Sequence, residues 1–406
     1  MTNTDPRKIE DILARSIFSI LPSKDALKKE LASGRRLRIY IGADPTGPDL
    51  HLGHATNFIF LEKLRELGHE IIILFGDFTA MIGDPTGKDA ARKLLTKKEV
   101  EKNIKDWKKQ VGKILSFSDK KNPAKIKKNS TWLSRLTFSD VIGLSANFTL
   151  QQMVERDMFQ KRITEKKPIY LHEFFYPLMQ GYDSVAMNVD VEVGGSDQIF
   201  NMGVGRALQK KINQKEKFII ATTLLENPKT GKKLMSKSEG SYIAINDEPK
   251  EMYGKAMALP DEVITQVFVD TTRVPVEEIR AIEKSLSTGK DFRGAKMRLA
   301  YELVSMYHDE KKAKEAQENF VQTFQKKELP KDVPTLYAKK GEDLADSIIR
   351  AGKTNSRSAW RRLVEQGAVR NAVTGEKIKT YQEKIREDVV LKIGKKDFLR
   401  ITTTKK

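Results

Sequence analysis

Two histidines, three residues apart, close the string Asp44-Pro-Thr46-Gly-Pro-Asp-Leu-His51-Leu-Gly-His54, where an apolar strand gives way to a helix. One helical turn presents both imidazoles to the same side. A helix start favours negative charge, and the small residues let backbone approach a ligand, so nucleotide phosphates are the expected guest. A metal reading lacks a third ligand, because the chain has five histidines and no cysteine. Gly83-Asp84-Pro-Thr-Gly87-Lys88 imitates a phosphate loop but fails its arithmetic. Gly83 and Gly87 stand too close together, and Asp89 follows the lysine where Ser or Thr belongs. It reads instead as a turn that holds Asp84 inward, with Lys88 and Arg92 within reach of a triphosphate.

A third group, Tyr176, Gln180 and Asp183, falls at i, i+4 and i+7 and lines one helix face. Phe174, Phe175, Leu178 and Met179 surround it with apolar side chains. A carboxylate in that company needs a partner, which a small polar ligand would supply. Gly194-Gly195-Ser196-Asp197-Gln198 joins another strand to a helix, where a sugar or amine would be held. The fourth group, Lys232-Lys-Leu234-Met-Ser-Lys237-Ser238-Glu-Gly240, is a cationic Ser/Lys loop. Such a loop suits a reaction that expels pyrophosphate, since lysines meet oxygens that gain charge as the bond breaks.

The elements that must carry these groups follow from periodicity. Residues 37–44 read as a buried strand, 53–68 as a helix stopped by Gly68, and 70–75 as a continuously apolar strand. Strand, helix, strand implies a right-handed βαβ unit and a Rossmann-like, doubly wound α/β domain with a parallel sheet. Lysines crowd residues 93–128, which read as a solvated helix and a basic excursion. Further strands are expected at 188–193 and 217–221. The pattern turns helical from Gly240 to about residue 327, and the charged, proline-bearing stretch 326–334 reads as a linker. The expected division is a catalytic domain over 1–240, an α-helical domain over 241–328, a linker over 329–340 and a small α+β domain over 341–406.

The formal net charge is +19, from 74 Lys+Arg against 55 Asp+Glu. So large an excess suggests a polyanionic partner. The tail from 341 to 406 holds 16 Lys/Arg and 9 Asp/Glu. It reads as two short helices and a hairpin, with Ser356 capping 357–366, Gly367 ending that helix and Thr374-Gly375 turning the chain. A basic module of this kind suits RNA, with Arg357, Arg361, Arg362 and Arg370 as its contacts. No apolar run reaches the ~18 residues of a membrane span. Residues 1–10 are polar and unlike a secretory signal, so a cytoplasmic protein is expected.

The first and fourth strings resemble the HIGH and KMSKS signatures of class I aminoacyl-tRNA synthetases, and the whole chain is similar to the bacterial-type tyrosyl-tRNA synthetases. The resemblance implies that ATP, with Mg2+ carried by the nucleotide, activates tyrosine for transfer to tRNA(Tyr). It implies a tyrosine site made of Tyr40, Asp84, Asn129, Tyr176, Gln180 and Asp183. Tyr40 and Asp183 would take the phenol; Asp84, Tyr176 and Gln180 would take the amino group. Gly42, Asp44, Gly53, Gly195, Asp197 and Gln198 would bind ATP and the adenylate. Thr46, His51 and His54 would meet phosphates and ribose, while Lys88, Arg92, Lys237 and Ser238 would close on pyrophosphate. Leu234 stands where the family's loop usually has lysine, so a neighbouring lysine or Lys237 must carry that role. The resemblance also implies a homodimer, for which the apolar stretch 133–153 is the candidate interface.

Three rivals remain at this level. The tryptophan enzyme shares both signatures, but Tyr40, Gln180 and Asp183 suit a phenol better than an indole. A noncatalytic RNA-binding protein on a synthetase scaffold would not be expected to keep His51, His54, Lys237 and Asp183. A generic nucleotidyltransferase accounts for adenylate chemistry but not for the tail.

Overall fold

In the computed structural model, residues 2–84, 95–235, 242–289, 291–325, 333–394 and 397–404 are described. Six strands form the central sheet: β1 (Ile17–Leu21), β2 (Arg38–Ala43), β3 (Glu70–Phe75), β4 (Lys125–Lys128), β5 (Val191–Gly195) and β6 (Phe218–Thr222). Their order is β1-β6-β5-β2-β3-β4, parallel throughout except for β1, which runs antiparallel to β6. Ile71 to Phe75 are all essentially inaccessible, as expected of a strand covered on both faces.

Four helices matter for the site: α1 (Leu52–Glu66), α2 (Lys97–Val111), α3 (His172–Met187) and α4 (Ile199–Asn213). The β2–α1–β3 crossover moves one way across the sheet, and β5–α4–β6 moves the other. Strand order therefore reverses between β2 and β5, and the crevice at their carboxyl ends is the favoured ligand position of such sheets. Helices α3 and α4 pack tightly because of glycine. A Cβ on Gly181 would lie 2.9 Å from Val204 Cγ1 and 3.2 Å from the Gly205 nitrogen.

The expected strand–helix–strand unit is present, with α1 starting one residue earlier than expected. Two strands escaped periodicity. β1 is a short antiparallel edge, and β4 lies in the lysine-rich stretch that read as an excursion. Its sequence, Lys-Ile-Lys-Lys, is that of a charged edge strand, a composition that discourages pairing with another chain. Lys125 on this edge pairs with Glu70 of β3 at 2.6 Å.

The chain divides into two compact units, Met1–Lys314 and Glu315–Lys406. Helices Pro249–Met257, Ile264–Thr271, Val276–Ser287 and Phe292–Tyr307 follow the expected helical pattern. They lie in the same unit as the sheet rather than apart from it. Arg15 shows one physical reason, since its buried guanidinium donates to the carbonyls of Phe268, Val269, Thr272 and Val274.

The second unit is built on a four-stranded sheet, β7-β10-β9-β8. It comprises β7 (Thr335–Lys339), α5 (Leu344–Arg350), α6 (Arg357–Glu365), β8 (Val369–Asn371), β9 (Val389–Ile393) and β10 (Asp397–Thr404). Ser356 caps α6 by accepting from the Ala359 nitrogen, and Gly367 and Gly375 take positive φ as their turns require. The stretch 335–339, expected within the linker, is instead a strand running parallel to β10. Residues 326–332 of that linker lie outside the described residues. Trp360, 1% exposed, anchors the core with Ile348, Leu391 and Ile401.

Candidate functional site

The carboxyl ends of β2 and β5 open into a cavity of about 610 Å³ within the first unit. At one end is the start of α1. His51 is its N-cap, accepting at Nδ1 from the Gly53 nitrogen at 3.1 Å. His54 Nδ1 accepts from the His51 nitrogen at 3.2 Å, and the two rings lie 3.9 Å apart. Each neutral imidazole thus uses Nδ1 as an acceptor and carries its proton on Nε2, as a donor. Desolvation, followed by the repulsion that a protonated His51 beside it would add, pushes the His54 pKa down to about 3, so the ring stays neutral near pH 7. Two N–H donors at a helix start suit the oxygens of an anion.

The loop carrying Thr46 is held from α2. Asn103 donates to the Pro45 carbonyl at 2.8 Å, Trp107 to Gly47 at 2.7 Å and Gln110 to Pro48 at 2.8 Å. Gln110 also accepts from the Leu50 nitrogen. This clamp was missed at the sequence level, although its signal was there: Asn103, Trp107 and Gln110 lie at i, i+4 and i+7 in an otherwise lysine-rich helix.

Asp44 also lines the cavity. Its carboxylate accepts from Thr79 Oγ1 at 2.7 Å and from the Tyr176 hydroxyl at 2.9 Å. Gly76 makes room for it, since a Cβ there would fall 2.0 Å from Asp44 Oδ1. Asp84 accepts from Gln198 Nε2 at 2.9 Å. Gly42, Gly53, Gly195 and Asp197 complete the wall here. Lys233 Nζ approaches Asp197 at 3.5 Å, with Leu234 beside it on the same wall.

The far end is formed by α3. Asp183, 4% exposed, accepts from Trp132 Nε1 at 2.7 Å and from Asn129 Nδ2 at 3.3 Å. Burial raises its pKa well above the usual carboxylate range, against the opposing pull of those two donors. Asn129 is fixed in turn, donating to Thr79 Oγ1 and accepting from the Phe78 nitrogen. Tyr176 and Tyr40 are both buried, which holds their phenols neutral. Gln180 lies on the same helix face, with its amide on Glu192.

Most of the expected site residues therefore gather around one cavity. Tyr40 stands behind the wall, its hydroxyl sharing a 2.8 Å bond with Ser184 Oγ. Lys88, Arg92, Lys237 and Ser238 lie outside the described residues. In the second unit, Arg357 and Arg361 flank one recess with Tyr381. Arg357 pairs with Asp346 at 2.6 Å, and Arg361 lies over the Tyr381 ring at 4.9 Å. Arg362 is also on α6, while Arg370 sits on β8. Thr79, Trp132, Ser184, Glu192 and Lys217 also went unread in the sequence, because single polar residues in apolar runs carry no periodic signal.

Residues 32–325 match the family model for class I tRNA synthetases (W and Y). The tyrosine--tRNA ligase of Moorella thermoacetica is 44% identical over 399 residues, covering 97% of this chain and 95% of that protein. The tyrosine--tRNA ligase of Thermotoga maritima is 42% identical, covering 98% of each. Among solved structures, a C-terminally truncated mitochondrial tyrosyl-tRNA synthetase from Aspergillus nidulans aligns with a TM-score of 0.65 at 24% identity. It covers 78% of this chain and 94% of its own. The tyrosyl-tRNA synthetase of Archaeoglobus fulgidus, complexed with L-tyrosine, aligns at 0.60 with 21% identity, covering 77% and 100%. At these identities the structures speak to fold alone.

Proposed function

This chain belongs to the class I tRNA synthetases that serve tryptophan and tyrosine, it charges tRNA with tyrosine, and on that premise we propose how its residues divide the work. The tyrosine carboxylate attacks the α-phosphorus of ATP. A carboxylate–phosphorus bond forms, the bond to the bridging oxygen breaks, and pyrophosphate leaves with the nucleotide's Mg2+. A hydroxyl of the terminal ribose of tRNA then attacks the tyrosyl carbonyl and releases AMP. No protein nucleophile takes part, and the chain acts by positioning and by electrostatics.

Tyrosine lies along α3. Asp183 and Tyr40 take its phenol, Asp84, Tyr176 and Gln180 take its ammonium, and Asn129 holds Asp183 in place. Gly42, Asp44, Gly53, Gly195, Asp197 and Gln198 receive the adenylate. Thr46 and the Nε2 donors of His51 and His54 meet phosphate oxygens. Lys88, Arg92, Lys237 and Ser238 draw off pyrophosphate. Lys233, already beside Asp197 on the cavity wall, stands in for the lysine that Leu234 replaces.

The observation that carries this reading is the single cavity itself. It joins a pair of neutral imidazole donors at a helix start to a buried carboxyl group satisfied by two donors. The decisive experiment is ATP–pyrophosphate exchange with each of the twenty amino acids, without tRNA. Exchange with tyrosine alone is expected. Exchange with tryptophan would void the roles of Tyr40 and Asp183.

The basic second unit binds tRNA through Arg357, Arg361, Arg362 and Arg370, in the cytoplasm where translation runs. The active form is a homodimer joined through the stretch 133–153. Support for that face comes from Phe138, Ile142 and Leu150, which are 81%, 55% and 65% exposed, far more than large apolar side chains on a monomer's surface require. A sedimentation mass of one chain at working concentration would refute the dimer.

A further inference from the structure

At the α3 end of the cavity, where Glu192 is part of the wall, lies an ion pair that no step of the proposed chemistry uses. Lys217, the residue before β6, is fully buried. Its ammonium pairs with Glu192 of β5, itself 1% exposed, and donates to Ser184 Oγ at 2.9 Å. Burying both charges costs solvation that their attraction only partly returns, and an apolar pair of similar volume often does as well for stability. A role other than stability is therefore the better explanation.

The remaining bonds of the pair supply that role. Glu192 Oε1 accepts from Gln180 Nε2 at 3.1 Å, and Glu192 Oε2 lies 3.3 Å from Ser184 Oγ. Ser184 Oγ shares its 2.8 Å bond with the Tyr40 hydroxyl. Gln180 and Ser184 sit one helical turn apart on α3, so both face the pair. Tyr40 comes from β2, and Gln180 from α3. They address opposite ends of the amino acid, yet both are tied to the same two buried charges. The surrounding packing accommodates the ammonium specifically: a Cβ on Gly205 would lie 2.6 Å from Lys217 Nζ and 2.9 Å from Ser184 Oγ. Any residue but glycine at that point of α4 would displace the pair.

We infer that Lys217 and Glu192 are positioning residues that hold Tyr40 and Gln180 in one fixed relation, and so set selectivity for tyrosine over amino acids that lack its phenol. The inference rests on the assignment of Tyr40 and Gln180 to the tyrosine site.

ATP–pyrophosphate exchange on the full chain tests it, with tyrosine, phenylalanine and ATP each titrated and folding checked by circular dichroism. Lys217→Met is expected to raise the KM for tyrosine about tenfold while the KM for ATP stays within about twofold. Ser184→Ala removes one bond and no charge. It is expected to lower the tyrosine-to-phenylalanine ratio of kcat/KM about fivefold, with the phenylalanine value unchanged. Should Lys217→Met fail to fold, Ser184→Ala decides the matter. An unchanged KM for tyrosine in folded Lys217→Met, a parallel rise in both KM values, or an unchanged ratio in Ser184→Ala would overturn the role of the pair. Gln180→Ala with an unchanged KM for tyrosine would instead reject the tyrosine-site assignment beneath it.

Discussion

The two ends of the cavity are built on opposite principles. At the α3 end, Tyr40 and Asp183 are buried and bonded to protein partners before any ligand arrives. At the α1 end, both imidazoles accept at Nδ1 from backbone N–H groups of the helix start. Lys233 there is a long, half-exposed side chain 3.5 Å from its carboxylate. On the proposed assignment of the two ends, the difference follows from what each must do. A neutral phenol is recognised by groups that protein partners already hold in place, so an amino acid without the hydroxyl forgoes bonds at a site that cannot rearrange to replace them. Pyrophosphate must be held during bond breaking and then released, which favours point charges that solvent screens.

This contrast predicts separable effects. Lys237→Ala should slow adenylate formation by about 10²–10³-fold, as loss of a transition-state contact does. Its KM for tyrosine should change little. Lys233→Ala should cost about tenfold in the same step if it covers for Leu234. Equal losses in tyrosine binding and in exchange rate would break the division between the ends.

Asp183→Ala should lower the preference for tyrosine over phenylalanine by about 10²-fold, since the donors of Trp132 and Asn129 lose their acceptor along with the phenol. Unchanged selectivity in exchange would remove Asp183 from the phenol site. A smaller loss, about fivefold in the KM for ATP alone, is expected of Trp107→Phe, which deletes the bond to Gly47 but keeps the ring. A matching rise for tyrosine would mean that the α2 clamp serves the whole cavity.

The smallest effect concerns pH. Unfolded His54 takes up a proton near 6.5, but in the folded chain it does so only near 3. Between those values the unfolded state binds more protons, so stability falls as pH drops from about 6.5 toward 3. His54→Gln should flatten that slope in Tm measured against pH. His69, held to about 4 mainly by burial, contributes with the same sign and would remain.

Motif strings were the most legible part of the molecule, because each combines a local backbone demand with a chemical one. The string around His51 marked the passage from strand to helix and put both imidazoles on one side of its first turn. Tyr176, Gln180 and Asp183 were readable from helical spacing alone. β4 was not, since charged edge strands and solvated helices have similar compositions. β7 was hidden for a related reason: its five residues sit between charged flanks, and only pairing with β10, far along the chain, makes them a strand.

The sequence by itself determined the class of chemistry, the βαβ core and the residues that one helix or one turn presents together, because those depend on neighbours within a few positions. Tertiary structure alone decided that Lys217, Glu192, Ser184 and Tyr40 converge, that α2 clamps the loop before α1, and that the helices after residue 249 join the sheet's own unit. Each of these is a contact between segments tens to hundreds of residues apart. Such contacts form when chain folding brings polar groups out of water and obliges them to find partners wherever the packing has left them.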